Sequence, residues 1–415
     1  MSTAETAARL TDESIERMQR RIGIKQRSRR RPHNEWVTVD GIHHFARGNG
    51  DINPLWLEQD YARESVWGEV VSPPLFASAC GVHEAVTWTL EEQEAMSGGD
   101  PFRGVGQYQA EDSWTLAGPL RIGMRPTTTT HLHDLRVKED SNFAGGLAVY
   151  LTFRQVYRLD EEPDVVMAIC DRKFIYADRD KSVRSDSSGR YNYSRDYTSE
   201  QIAEIDAAYA AEFIRGRELL RHDDVTVGDG LGRIVKGPLT VTDIIGFHVG
   251  WGFGNLFGIG ALRAAYLNRQ RVPGFYGRDD HGIPDAVQKC HWDQKQAEAV
   301  GHPAPYDYGL MRVIWAGQLV SNWIGDAGQV YRITSRVTRF NYLGDTTWLT
   351  GEVIGKVSDD LAGPLVRVRV TGTNQAGMQT CVTEADVRLP LADGKIRERV
   401  PLSAWSPASA DEMAI

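Results

Sequence analysis

The sequence predicts an α+β protein made of two tandem copies of one unit, each a curved antiparallel sheet wrapped around a central helix. Three observations lead there. A polar segment divides the chain near its middle, matching landmarks occur in the same order on both sides of it, and each half closes on a pair of long strands. The divider, DRDKSVRSDSSGRYNYSRDY at 178 to 197, has almost no aliphatic residues and reads as a linker.

Taken in order, residues 1–34 form a basic, helical extension. Its segment Gln19 to His33 holds Arg20, Arg21, Lys25, Arg27, Arg29, Arg30 and Arg31, which suits either a solvated face or a contact for nucleotide phosphates. Residues 35–180 form the first unit. It has a helical segment from Asn53-Pro54 to Gly68, a strand entry GPLRIGM at 118 to 124, and strands over Leu147 to Tyr157 and Val165 to Tyr176, with a turn at Asp160 to Pro163. Residues 181–222 complete the linker and add a connecting helix with Ile202, Ile205, Tyr209 and Phe213 on one face. Residues 223–395 repeat the plan: a helical segment from Gln288 to Gly301, an entry FNYLGDTTW at 340 to 348, and a final hairpin. There Val366, Val368 and Val370 alternate with Arg367 and Arg369, Asn374 to Gly377 makes the turn, and Thr380 to Thr383 opens the return strand. Residues 396–415 form a tail.

Composition narrows the function. A 415-residue chain with 41% hydrophobic and 25% charged residues fits a soluble globular protein of about two domains. A net charge of −9 and a pI near 5.7 argue against nucleic acid as the main partner. Cys80, Cys170, Cys290 and Cys381 lie far apart, so neither a zinc site nor a disulfide framework is expected, and a reducing cytoplasm is the expected location. The first 21 residues contain no apolar leader, and the most apolar window, Val249 to Leu267, is broken by Asn255, Arg263 and five glycines, so no membrane span is expected.

Two stretches carry the chemistry. The first is HFARGNGDINPLWLEQDYARESVWGEVVSPPLF at 44 to 76, and the second is HWDQKQAEAVGHPAPYDYG at 291 to 309, followed by FNYLGDTTW and TNQAG. Together they resemble the MaoC-type dehydratase and R-specific enoyl-CoA hydratase family in its two-domain form, over most of Ile15 to Pro390. The resemblance implies a double hot-dog fold and addition or removal of water across the 2,3-double bond of an acyl thioester. It implies no metal and no cofactor beyond the coenzyme A of the substrate. In that family an aspartate is followed two residues later by asparagine and three after that by histidine, and the histidine by alanine at six, glycine at ten and glycine at eighteen. The second half places His291, Ala297, Gly301 and Gly309 at those histidine-based intervals, so the resemblance gives His291 the acid/base role and Gly309 the N–H for the thioester oxygen. Ala286 and Gln288 stand where the family has aspartate and asparagine, and Asp285, one residue off, or Asp279, Asp280 and His281 upstream, are the carboxylate and loop candidates. An insertion of roughly thirty residues, within Trp251 to Asp285, precedes them. The first half keeps Asp51 and Asn53 but has Trp56 in place of the histidine, so its copy reads as degenerate, with Asp51 and Asn53 as second-site catalytic candidates. Tyr308 and Trp56 are expected to contact substrate.

Each residue also has a plainer role. Asp51-Ile52-Asn53-Pro54 is an ordinary helix cap with proline in the first turn. His248 and His281 fit structural or substrate-lining positions. The run Gly250-Trp251-Gly252-Phe253-Gly254 lacks the rest of a dinucleotide motif and suits an acyl channel lined by Trp251, Phe253 and Phe257. No G-x-S-x-G elbow and no P-loop occurs. A hot-dog thioesterase, a non-catalytic acyl-binding partner subunit, a hydratase or lyase on a non-thioester substrate, and a homodimer all remain open.

Overall fold

A computed structural model describes residues 9–28, 32–178, 193–252, 260–392, 394 and 399–402. In chain order the elements used below are α1 (Asp12–Gln19), α2 (Val39–Gly48), β1 (Val82–His83), β2 (Gly106–Leu116), β3 (Pro126–Ser141), β4 (Gly146–Leu159), β5 (Val166–Ala177), α3 (Ser199–Ala210), β6 (Gly230–Lys236), α4 (Val241–Trp251), β7 (Tyr276–Arg278), β8 (Pro284–Ala286), α5 (Gly309–Ile324), β9 (Gln329–Val337), β10 (Thr347–Asp359), β11 (Gly363–Asn374) and β12 (Gln379–Arg388). Helix α3 is shorter than the apolar spacing predicts: it stops at Ala210, and of its apolar face only Ile205 is buried. The divider lies outside the described residues from 179 to 192.

Ten strands make one sheet in the order β1-β3-β4-β5-β2-β9-β12-β11-β10-β6. The order is a palindrome of roles, β3-β4-β5-β2 in one half answering β10-β11-β12-β9 in the other. The halves join where β2 pairs antiparallel with β9, from Glu111 opposite Arg336 to Thr115 opposite Arg332. Arg336 Nε donates to Glu111 at 2.8 Å, and the Ser113 and Thr334 hydroxyls meet at 2.8 Å, cross-strand pairs that fix the register.

Helices α2 and α4 occupy matching places in the two halves and cross each other. Both are capped by a threonine, Thr38 on the Gly41 N–H and Thr240 on the Asp243 N–H, and both bury an Ile/Phe stripe: Ile42 and Phe45, Ile244 and Phe247. Glycine permits the crossing. A Cβ on Gly48 would lie 2.5 Å from the Gly246 carbonyl oxygen, and one on Gly250 would lie 2.5 Å from the His44 carbonyl oxygen.

The halves differ in what fills the sheet. In the second, α5 is buried along its length and packs on Ile333, Leu349, Val366, Val368, Val370, Ala385 and Val387. In the first, the chain between β1's approach and β2 supplies a 3₁₀ turn at Phe76–Ala79 and a short helix at Leu90–Ala95 in place of a long central helix. A cavity of about 790 Å³ opens on the concave face of β2 to β5. A central helix in each half is therefore realised only in the second.

The glycine crossing gives a paired prediction. Gly250→Ala drives a methyl into backbone and should lower the denaturation midpoint, by roughly 1–3 kcal/mol of stability. Gly246→Ala, whose nearest neighbour would be 3.9 Å away, should hold or raise it. Equal effects in chemical denaturation would contradict the close approach.

Candidate active site

Strand β8 runs into a 3₁₀ turn at Val287–His291 that lies against the segment preceding α5. That segment is held by a buried ion pair. Arg312 donates through Nε and Nη2 to Asp307 at 2.8 and 2.7 Å, and through Nη1 to the carbonyls of Thr380, at 2.9 Å, and Arg339. Asn341 Nδ2 donates to the same carboxylate at 3.3 Å. Two charges out of water this way are costly unless fully hydrogen-bonded, and here they are bidentate. The pair locks Tyr306, Asp307 and Tyr308 in front of the helix.

On this platform His291 stacks over the Tyr308 ring, with centroids 3.8 Å apart, and its Nδ1 lies 2.7 Å from the Tyr306 carbonyl oxygen. A carbonyl can only accept, so Nδ1 carries the proton and Nε2 holds the lone pair. Gln288, buried, donates from Nε2 to the Tyr308 hydroxyl at 2.9 Å. That hydroxyl sits 3.0 Å from Nε2 of His248 on α4. Burial pushes His291 down to about 4 and, aided by the neighbouring His291, pushes His248 down to about 3. Burial also holds the Tyr308 hydroxyl well above its usual range. At neutral pH the group is two neutral imidazoles and a neutral phenol, and His291 is a base with an available lone pair.

The N-terminus of α5 lies beside it. Tyr308 is the N-cap and offers no side-chain hydrogen bond to the first turn, leaving N–H groups and the positive end of a sixteen-residue helix facing the imidazole's neighbourhood. Gly309 is required by space, since a Cβ there would lie 2.9 Å from Cδ of Gln109, which reaches across from β2.

The first-half counterpart is built differently. Asp51 is buried, and its Oδ1 accepts from the Asn53 N–H at 3.1 Å while Asn53 Oδ1 accepts from the Leu55 N–H at 3.0 Å, capping the turn Pro54–Leu57. Burial pushes the Asp51 carboxyl up, against the pull of Asn53, Lys236 and Trp56. Lys236 itself donates to the Asn49 carbonyl at 3.0 Å and to Gln318 at 2.6 Å. Trp56, 4% exposed, lines a largely apolar cavity of about 60 Å³ with Trp67, Pro74, Leu75, Met167 and Ile324. Pro74 follows Trp56 by eighteen residues, as Gly309 follows His291, and proline has no N–H to offer. This copy lacks both the base and the donor.

The structure does not bring Asp51 and Asn53 to His291. Asp51 neighbours Lys236 at Gln318, nine residues along α5 from Gly309, or about 13 Å at 1.5 Å per residue. Asp285 is exposed and turns back to accept from the Ala286 N–H at 2.7 Å. Asp279 accepts from the His281 and Ile283 N–H groups at 2.9 Å, and Asp280 pairs with Lys295. None of the four acids bonds to His291. His248, read from sequence as structural or lining, is joined to the site through Tyr308, and Asp307 and Arg312 carry no sequence signal beyond their charge. Phe253 and Phe257 lie outside the described residues; Trp251 stacks on Phe247 with centroids 5.0 Å apart. In the basic segment, Arg29 to Arg31 are likewise outside, while Arg21 and Arg27 donate to backbone carbonyls of Ala95, Ser97, Gly99 and Val86. Among the described residues no cluster of three or more metal-binding side chains occurs, and no helix is long and apolar enough to cross a membrane.

Residues 27–163 match a family model described as FAS1-like, dehydratase domain region. No curated protein sequence matches the chain. Among solved structures, a MaoC-like dehydratase superposes with a TM-score of 0.58 at 16% identity, covering 89% of this chain and 98% of that one. A putative MaoC domain protein dehydratase from Chloroflexus aurantiacus gives 0.49 at 12%, covering 93% and 99%. The peroxisomal multifunctional enzyme type 2 from Drosophila melanogaster gives 0.47 at 9%, covering 85% and 47%.

The depressed histidines set a pH signature. Between about pH 6.5 and 4 the unfolded chain takes up protons that native His291 and His248 refuse, so their contribution to stability falls as pH drops through that window. His291→Gln should flatten this slope, and NMR titration of the imidazoles should find both neutral at pH 6; a midpoint near 6.5 for His291 would contradict the site as described. Residues 27–163 thus match the model of a FAS1-like dehydratase domain region, and the chain carries a double hot-dog fold.

Proposed function

We propose that the protein is a hydro-lyase that adds or removes water across the 2,3-double bond of an acyl thioester, with its chemistry in the second half. The observation that carries this reading is the pairing of a neutral His291, lone pair on Nε2, with the uncapped N-terminus of α5 at Gly309. Bound there, the thioester carbonyl accepts from the helix's first N–H groups, which with the helix dipole stabilise the enolate oxygen as charge reaches it. Water attacks C3 while His291 Nε2 takes its proton. The resulting imidazolium, disfavoured by burial, returns that proton to C2 as the enolate collapses. One group therefore serves both transfers and the protons balance. Dehydration is the same path reversed.

Gln288 holds Tyr308, the imidazole's stacking partner, in place, and the Tyr308 hydroxyl also meets His248. Asp51 and Asn53 serve in this reading as the cap of a silent copy, and Trp56 fills the space its histidine would need. No carboxylate is assigned to the reacting centre.

The test is turnover of an enoyl thioester, followed by loss of its conjugated absorbance. His291→Gln should lower kcat by roughly 10²–10⁴-fold with the fold intact by circular dichroism. Asp51→Asn, if it folds, should keep turnover within a few-fold. Retained activity in the His291 variant, or release of free thiol by the wild type in place of hydration, would overturn the proposal.

A further inference from the structure

The cavity of about 790 Å³ in the first half has a floor unlike the packing face it replaces. In the second half the corresponding face of the sheet is aliphatic and covered by α5. In the first half a polar band crosses the middle of the concave face: Thr130 stands opposite Gln155 and Gln155 opposite Cys170, with Arg172 opposite Asp112 one step along. Thr130, Gln155 and Arg172 all line the cavity. Apolar and aromatic side chains, among them Tyr157, Phe153 and Phe174, flank the band on either side.

Arg172 is the informative member. Its Nε donates to Asp112 Oδ1 at 2.6 Å and its Nη2 to Oδ2 at 3.4 Å. Gln109 Nε2 donates to the same carboxylate at 2.7 Å, and the Asp112 side chain is only 1% exposed. Asp112 is thereby held by three hydrogen bonds and serves as a fixed counter-charge, while the Arg172 side chain keeps 20% exposure at the cavity wall. Its Nη1 edge bonds to no described residue. Arg27 and Arg271 add positive charge to the same lining, which contains no carboxylate among the described residues. The charged lining is therefore suited to an anion, and an open guanidinium edge suits a carboxylate.

Two side chains stand between the cavity and the proposed reacting centre. Trp251, in its wall, lies 5.8 Å from the Tyr308 ring by centroid. Gln109, bonded to Asp112, packs over Gly309 at the start of α5. Two hydrogen bonds and the intervening side chains place Arg172 roughly 10 Å from that helix start, within reach of the far end of an extended acyl chain.

We propose that the acyl group of the substrate runs into this cavity and that Arg172 selects chains whose distal end carries a carboxylate. The inference rests on the acyl-thioester reading above and names the class of acyl group. Gln155 and Thr130 supply further hydrogen bonds to that end, and the flanking aromatics hold the methylene segment.

The test is binding to the full-length protein of saturated, unreactive esters in matched pairs, adipoyl-CoA against hexanoyl-CoA and suberoyl-CoA against octanoyl-CoA, by calorimetry. The wild type should bind the carboxylated member of at least one pair about tenfold more tightly, the worth of one charge-assisted hydrogen bond. Arg172→Met combined with Asp112→Asn, which removes both charges together, should bring that ratio to about one; if that pair fails to fold, Gln155→Leu should reduce it several-fold. No discrimination in the wild type, no binding of either member, or a ratio unchanged in a folded variant would overturn the inference. Because the esters cannot react, the outcomes separate. Discrimination without turnover of any enoyl ester would remove the hydro-lyase reading and leave Arg172's role, whereas turnover without discrimination would do the reverse.

Discussion

A strongly curved sheet has a concave face that must be covered, because bare apolar surface facing water forfeits the main driving force of folding. The two halves of this chain meet that demand in opposite ways, and most of what distinguishes them follows. The second half covers its face with α5, a helix so enclosed that fifteen of its residues are buried, and its strands answer with valine, leucine and isoleucine. Enclosing the helix also fixes where its N-terminus points. The Asp307–Arg312 pair then fixes the segment leading into it, so that Tyr308, His291 and the helix start become one rigid group. The first half has no long helix over its face: α1, through Ile15 and Met18, covers one end of it, and polar side chains line the cavity beside that end.

The continuous sheet makes the two solutions interdependent. Pairing of β2 with β9 carries Gln109 to the start of α5, so a first-half side chain borders the second-half site. The crossing of α2 and α4 places His248 against Tyr308 from the other side. A duplicated unit of this kind can lose the reacting groups from one copy, because a single competent site suffices and the other copy is still needed to complete the sheet. On the proposed reading Trp56 and Pro74 mark that loss: one stands in the place of a base, and the other has no N–H to donate.

Much of this was legible in the sequence where the signal is local. The cap at Asn53-Pro54 and the alternation of Val366, Val368 and Val370 each depend on neighbours along the chain, and each appears in the structure as written. The shortened first-half helix had a local sign as well, Pro73-Pro74, which sequence periodicity alone did not weigh. What escaped were contacts set by register. Arg172 and Asp112 are sixty residues apart and meet only because β2 and β5 pair with a bulge between Gln109 and Glu111. His248 is likewise sixty residues from Tyr308, and its membership of the site depends on a helix crossing that glycine permits. Asp285 shows the converse: adjacency in sequence to the expected position did not carry its side chain to His291.

The central claim is that one of the two copies does the chemistry and that it is the second. A crystal structure with a saturated acyl thioester bound would test this most directly. The account predicts the thioester oxygen within hydrogen-bond distance of the N–H groups at Gly309, with C2 and C3 facing His291 Nε2. A thioester seated instead beside Asn53, Trp56 and Pro74 would contradict it.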